Sequence, residues 1–189
     1  MTSSEETRSD PAATLRDAQE KGTTLDGALS FFDSLETVTI EEMFGRWRGS
    51  GLPSGHPMDG ILEKMQWYGK EFRSAEFVHP LLFEGPRGEI RAMDSRHMPL
   101  NLIPKLRLSG SAFERLAFSA VKPFLWTTEP RARLRMMEHR GKASATMIYD
   151  FLPVHDVFRR VDADTLLGLM DLRGEARPFF FVLRRDSAI

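Results

Sequence analysis

Cysteine is missing from all 189 residues. That excludes disulfides, thiolate nucleophiles and cysteine-ligated zinc, and it suits a reducing compartment. Neither sign of charge is in excess. With 26 Lys and Arg against 27 Asp and Glu, general attraction to nucleic acid or an anionic membrane has no basis. Apolar runs such as "PFFFVL" (178–183) fall far short of the roughly 20 residues a membrane helix needs. The opening "MTSSEETRSD" has no basic start and no apolar stretch, so it does not read as a secretory signal. No GxGxxG, P-loop or HExxH pattern occurs, and His56, His79, His97, His139 and His155 show no zinc-ligand spacing. The expectation is a cytoplasmic protein with no nucleic-acid partner, no stable membrane insertion and no metal.

What is present is enough apolar material for a sizeable core, 41% of the chain including 14 Phe. Residues 1–9 are small and polar and read as a disordered tail. Asp10 before Pro11 is a helix start, with a stop at Gly22. Leu25, Ala28, Leu29, Phe32 and Leu35 share one face of a second helix, so residues 10–36 form N-terminal helices whose apolar face suits a homodimer. Thr39 and Glu42 make a capping-box pair for one short turn. "MDGILEKMQWYGKEF" (58–72) has helical spacing in Ile61, Leu62, Met65, Tyr68 and Phe72. "EFVHPLLFEGPRGEIRAMD" (76–94) reads as two strands around a Gly-Pro-Arg-Gly turn. "GSAFERLAFSAV" (110–121) suits a short helix, and the role of 98–124 as gate or connection is open. From residue 131 onward, five strands follow in about sixty residues, with turns at Arg140–Lys142, "DAD" and "RGEAR", an antiparallel meander. The class is mainly β, a β-rich α+β chain.

A meander must hide its edges, and closure into a barrel of about eight to ten strands does so while leaving room for a small ligand. "GRWRGSG" (45–51) fits one strand of such a barrel. Alternation puts Gly45, Trp47, Gly49 and Gly51 on one face and Arg46 and Arg48 on the other. The wet face takes the arginines, and Trp47 plugs the interior. In "FFFVLRR" (179–185), alternation groups Phe179, Phe181, Leu183 and Arg185.

Gly45-x-Trp47 after a short helical turn resembles the Gly-x-Trp signature of the calycins, the lipocalins and fatty-acid-binding proteins. The resemblance implies that Arg185, from the last strand, stacks on Trp47. "EEMFGRWRGSGLPSGHPMDGILEKMQWYGKEF" is similar to the GXWXG domain of mostly bacterial proteins, and the stretch from Arg131 to Asp186 is similar to the domain that usually follows it. Gly45, Trp47, Gly49 and Arg185 are the structural signature. The implied fold is one calycin-like antiparallel barrel over 37–186, with a 37–97 half, a 125–186 half, and residues 58–72 as a helical lid after the first strand.

The family takes its name from a motif, so its activity stays open. A calycin-like barrel implies non-catalytic binding or transport of a small hydrophobic ligand, a fatty acid or related lipid. No match is found for the paired Arg and Tyr that hold a fatty acid's carboxylate. Candidate ligand-lining residues are Trp67 and Tyr68 on the lid, Met136, Met147, Tyr149, His155, Phe158 and Phe181. Each also fits ordinary core or surface. The alternative is an enzyme using the cavity, with Tyr149, Asp150 and His155 as acid–base groups, although neighbours on a strand face opposite ways. No cofactor is expected. Related heme-binding barrels carry a Gly-x-Trp-x-Gly strand and a His on a late strand, where only His155 or His139 is on offer.

Overall fold

The computed structural model describes residues 10–85, 87–97 and 125–186. The tail reading of 1–9 and the helix reading of 110–121 lie outside them.

The chain starts with α1 (Pro11–Lys21) and α2 (Leu25–Ser34). Asp10 caps α1 by accepting from Ala12 N, and Thr24 caps α2 by accepting from Gly27 N. After β1 (Glu36–Thr37), α3 (Ile40–Met43) is set by the capping box of Thr39 and Glu42. Next come β2 (Gly45–Gly51), α4 (Ile61–Lys64), β3 (Trp67–Phe72), β4 (Val78–Glu84), β5 (Ile90–Met93) and a 3₁₀ turn at Ser95–His97. Beyond the second break lie β6 (Trp126–Thr127), β7 (Ala132–His139), β8 (Lys142–Tyr149), β9 (Val154–Asp162), β10 (Thr165–Leu172) and β11 (Phe179–Arg185).

Eight strands close a ring in the order β2-β3-β4-β7-β8-β9-β10-β11 and back to β2, every neighbour antiparallel. The β4–β7 joint is the thinnest. Its one register pair, Val78 with Ala132, is reinforced by Arg131 N to Val78 O (3.0 Å) and Leu134 N to Ala75 O (2.7 Å). β5 and β6 extend from β4 outside the ring, and β1 covers the free half of β9. Register breaks in β3 and at Thr165–Leu166 give the local bending a small closed sheet needs.

Strand alternation builds two cores. Inside lie Trp47, Phe72, Leu134, Met147, Phe158, Phe181 and Leu183. Outside, Val157, Leu167, Leu169, Phe180 and Val182 meet Leu15, Ala28 and Phe32 of the two N-terminal helices. This explains why β10 and β11 are apolar on both faces. It also shows what the amphipathic faces of α1 and α2 do in this chain: they pack on the barrel wall.

One element departs from the sequence reading. The helix expected over 58–72 stops at Lys64, and Trp67–Phe72 is strand. Gln66 takes a left-handed φ of 56° and ends the helical run, and β3 then pairs with β2 on one side and β4 on the other. Pairing on both edges outweighs a weak helical periodicity. Trp67 and Tyr68 are therefore wall residues rather than lid residues.

The glycines of the opening motif now have partners. A Cβ on Gly49 would sit 1.9 Å from the Trp67 ring. Across the strand pair, Gly69 has φ 148°, and a Cβ there would lie 1.9 Å from Trp47 O. Two glycines thus let β2 and β3 approach with an indole wedged beside them. Gly69→Ala is expected to cost about 3 kcal/mol or more, through a backbone clash plus forced left-handed strain. Gly141→Ala, in an open hairpin turn at φ 74°, is expected to cost only about 1 kcal/mol. Urea midpoints of the two variants check the contrast.

Candidate functional site

The two ends of the barrel are finished differently. At one, Trp47 is fully buried, and its indole N–H donates to Met43 O (2.8 Å) at the end of α3. Arg185 lies across from Trp47 in the β2–β11 register, its guanidinium 4.2 Å from the ring centroid. The same guanidinium donates to Phe44 O (2.9 Å), Glu42 O (3.1 Å) and Asp164 Oδ1 (3.1 Å). The stack contributes about 0.5–2 kcal/mol, and the guanidinium also caps the last carbonyls of α3. This end is a plug.

The other end holds a cavity. Met58, Ile61, Leu62 and Met65, in and around α4, cover it, and Leu81, Phe83, Leu152, Val154, Met170, Phe179 and Phe181 form its apolar wall. Its volume is about 80 Å³. That is about half the roughly 150 Å³ of an apolar cavity that takes up benzene, so the space suits a small molecule. The cover is held by short polar ties. Glu63 accepts from Gly51 N (2.7 Å), Asp59 Oδ2 accepts from the backbone N–H groups of Ser54, Gly55 and His56, and the His56 ring sits 5.4 Å from that of Phe179.

Three polar side chains enter this apolar space from three strands: Lys70 of β3, Tyr149 at the end of β8, and Asp156 of β9. Lys70 Nζ donates to Asp156 Oδ2 (2.8 Å), Pro80 O (3.2 Å) and Tyr149 Oη (3.3 Å). It also lies 5.0 Å from the Phe181 ring centroid and 5.3 Å from that of Trp67. Three acceptors match the three protons of an ammonium. Burial pushes Lys70 down and Asp156 up, each toward its uncharged form, while their mutual attraction opposes both shifts. Burial, aided by the charge of Asp156, pushes the Tyr149 phenol well up, so it keeps its proton. Asp156 Oδ1 and Trp67 Nε1, on two cavity-lining residues but themselves almost without accessible surface, have no hydrogen-bond partner among the described residues.

Of the residues that sequence patterning offers as ligand-lining, Trp67, Tyr149 and Phe181 line the cavity. Met147 and Phe158 are fully buried deeper in the barrel. Tyr68, Met136 and His155 lie elsewhere. The Tyr68 hydroxyl donates to Asp186 and its ring lies under Arg48, Met136 is 47% exposed, and His155 points away from the cavity that Asp156 enters. Asp150 is exposed and pairs with Arg133 outside, so Tyr149, Asp150 and His155 do not converge. His139 and His155 both lie outside the cavity wall, so neither reaches a group held there, and the space is far smaller than a porphyrin.

Lys70 escaped the sequence reading because "WYGKEF" read as helix, where a lysine is a wet-face residue. Asp156 carried a usable signal. Phe158, two residues on, reads as inward, and period two puts Asp156 on the same face. A wider polar groove of about 640 Å³ spatial extent lies outside the ring among Arg46, Arg73, His79, Arg91 and Trp126. Its arginines are already paired, Arg46 and Arg73 with Glu71 and Arg91 with Glu89.

Together, these strands define a closed antiparallel barrel of eight strands, consistent with the calycin-like resemblance. Two family models match the chain: the GXWXG protein family over residues 30–88, and a domain of unknown function, DUF4334, over 130–185. A crystal structure of a protein from Thermomonospora curvata superposes with a TM-score of 0.67 at 31% identity, covering 94% of this chain and 99% of that one. The chain belongs to this GXWXG and DUF4334 family. No curated protein matches its sequence. Among the described residues, no helix is long and apolar enough to cross a membrane.

Asp156→Asn is expected to cost about 3–5 kcal/mol by leaving a buried ammonium without its counter-charge. The double change Lys70→Met with Asp156→Leu is expected to recover most of that loss, as a denaturant-based double-mutant cycle would show. A pH effect follows from the histidines. Burial lowers His56, His79 and His139 from the ordinary value. The unfolded chain therefore takes up protons near pH 6.5 that the folded chain refuses. Their contribution is complete above about pH 6.5 and declines as pH falls toward their lowered folded values. Thermal midpoints recorded between about pH 7.5 and 5.5 should fall on acidification, less steeply in His56→Gln.

Proposed function

We propose that the protein binds a small, mainly apolar molecule non-covalently inside the barrel, in the cavity beneath α4. The observation that carries this reading is the cavity itself, an apolar chamber with a few polar atoms at one wall, the usual composition of a small-molecule site. The calycin-like barrel supports it, since that architecture encloses ligands. Removal of apolar surface from water, about 25 cal/mol per Å², drives the binding, and the polar wall orients the ligand.

A space of about 80 Å³ favours a small molecule over a full-length fatty acid. A second reading, an enzyme, draws on Lys70, Tyr149 and Asp156. A buried amine beside a phenol and a carboxylate is the kind of set that moves protons.

Toluene is a suitable first probe, being apolar and of seven heavy atoms. The reading expects toluene to raise the thermal midpoint of the full chain in a saturable way, the linkage reaching about 2.7 kcal/mol at a hundredfold excess over Kd. Leu62→Trp, which fills the cavity from α4, should abolish that rise while leaving the ligand-free transition near its original position. A full chain that shows no saturable shift with toluene or with a short alcohol would sink the reading. Native mass spectrometry of freshly purified protein names any molecule carried along.

A further inference from the structure

We propose that the Lys70 amine, held in the cavity wall beside Asp156, is a nucleophile that condenses with a small apolar aldehyde to form an imine. The proposal rests on the reading that small apolar molecules enter this cavity, and it adds a covalent step.

The first observation is where the nitrogen lies. Lys70 is the one buried lysine among the described residues, whereas Lys21 and Lys64 are exposed and Lys142 is half-buried. Its Nζ stands over three aromatic rings, 5.0 Å from the centroid of Phe181, 5.3 Å from that of Trp67 and 5.5 Å from that of Tyr149. All three residues line the cavity, as does Lys70 itself. The amine is thus set among the side chains that bound the space.

The second observation is the pairing. An ion pair buried in apolar surroundings contributes little over apolar residues of the same volume, because desolvation offsets the attraction. Stability therefore gives little reason for Lys70 and Asp156 in this wall, and reactivity gives one. A desolvated lysine in an apolar pocket favours the free amine, the form that attacks a carbonyl carbon. Burial pushes Lys70 down and Asp156 up, in keeping with a proton held on oxygen rather than on nitrogen.

The step balances with the groups in place. With the proton on Asp156, Nζ keeps its lone pair. That pair forms the C–N bond, and the carbonyl π electrons move to oxygen. Asp156 Oδ2, 2.8 Å from Nζ, gives its proton to that oxygen and takes one from nitrogen, leaving a neutral carbinolamine. A second exchange of the same kind expels the hydroxyl as water and leaves a C=N bond. Asp156 ends with a proton, as it began. One amine and one aldehyde give one imine and one water, with no oxidant or reductant. An apolar space of about 80 Å³ selects a short alkyl chain on the aldehyde.

The test incubates the full chain near pH 7 with propanal and sodium cyanoborohydride, which reduces an imine to a stable propylamine. Peptide mapping by mass spectrometry locates the label. Lys70 is expected to be labelled about tenfold or more faster than Lys21 or Lys64, since each unit by which an amine's pKa falls gives about ten times more free amine near pH 7. The competitor is toluene or 1-propanol, whichever raises the thermal midpoint. It is expected to slow labelling at Lys70 and leave Lys21 unchanged. The paired change Lys70→Met with Asp156→Leu should lose the fast label while keeping a cooperative thermal transition. Labelling of Lys70 no faster than that of Lys21, in a chain that binds the competitor, would overturn the proposal and leave cavity binding standing. Fast labelling that a bound competitor does not slow would do the same. A chain that neither binds a competitor nor labels at Lys70 would overturn the cavity-binding reading, and this proposal with it.

Discussion

Closure of the ring at β2 is the constraint on which everything else depends. That strand pairs with β11, from the far end of the chain, and with β3. Trp47 is its pivot, filling the plugged end and lying beneath Arg185. Arg185 in turn ties the closing strand to the carbonyls of α3. A sheet left open at this seam would expose two edges and the apolar interior, so the seam and the cavity exist together or not at all.

Closure also explains the order of the chain. The stretch matched by the GXWXG model supplies β2, β3 and β4, and the stretch matched by the second model supplies β7 to β11. Three strands and five strands are each an open sheet; together they make the ring of eight. The N-terminal helices then cover the outer face of β9, β10 and β11, which would otherwise present Leu167, Leu169, Phe180 and Val182 to water. Along β10 and β11, one set of side chains serves the interior and the alternate set serves the helices.

Within that ring, the plugged end and the hollow end divide the labour of the aromatic residues. Trp47 has its indole N–H satisfied and its ring stacked, as suits a structural residue. Trp67 has neither of its faces given to a plug, and its N–H has no partner among the described residues. Gly49 provides the space for its ring. Gly49, two residues from Trp47, therefore serves a second tryptophan on the neighbouring strand, which stands at the cavity wall. Low dielectric strengthens the Lys70–Asp156 attraction there and makes any unmatched polar atom costly, so the same burial that shelters the pair restricts what can join it.

Much of the fold was legible in one dimension because its signals are local. Asp10-Pro11, the Thr39–Glu42 capping box, the turn at Arg140-Gly141 and the period-two runs of the last five strands each depend on a few neighbouring residues. Alternation alone put Trp47 and Phe181 inside and Arg185 on the same face of its strand as Phe181. What the local pattern left out was decided by pairing across distance. Trp67–Phe72 is a strand because β2 and β4 flank it, although its own spacing reads as helix. That single change turns Lys70 from a wet-face lysine into the centre of the cavity's polar wall. Tyr149, Lys70 and Asp156 are up to 86 residues apart in number and meet only because the ring closes. The sequence by itself determined the alternation, the caps, the turns and the two-sided apolarity of the late strands. Only the tertiary structure decided which buried groups share one space, because that depends on strand order and register, which local periodicity does not encode.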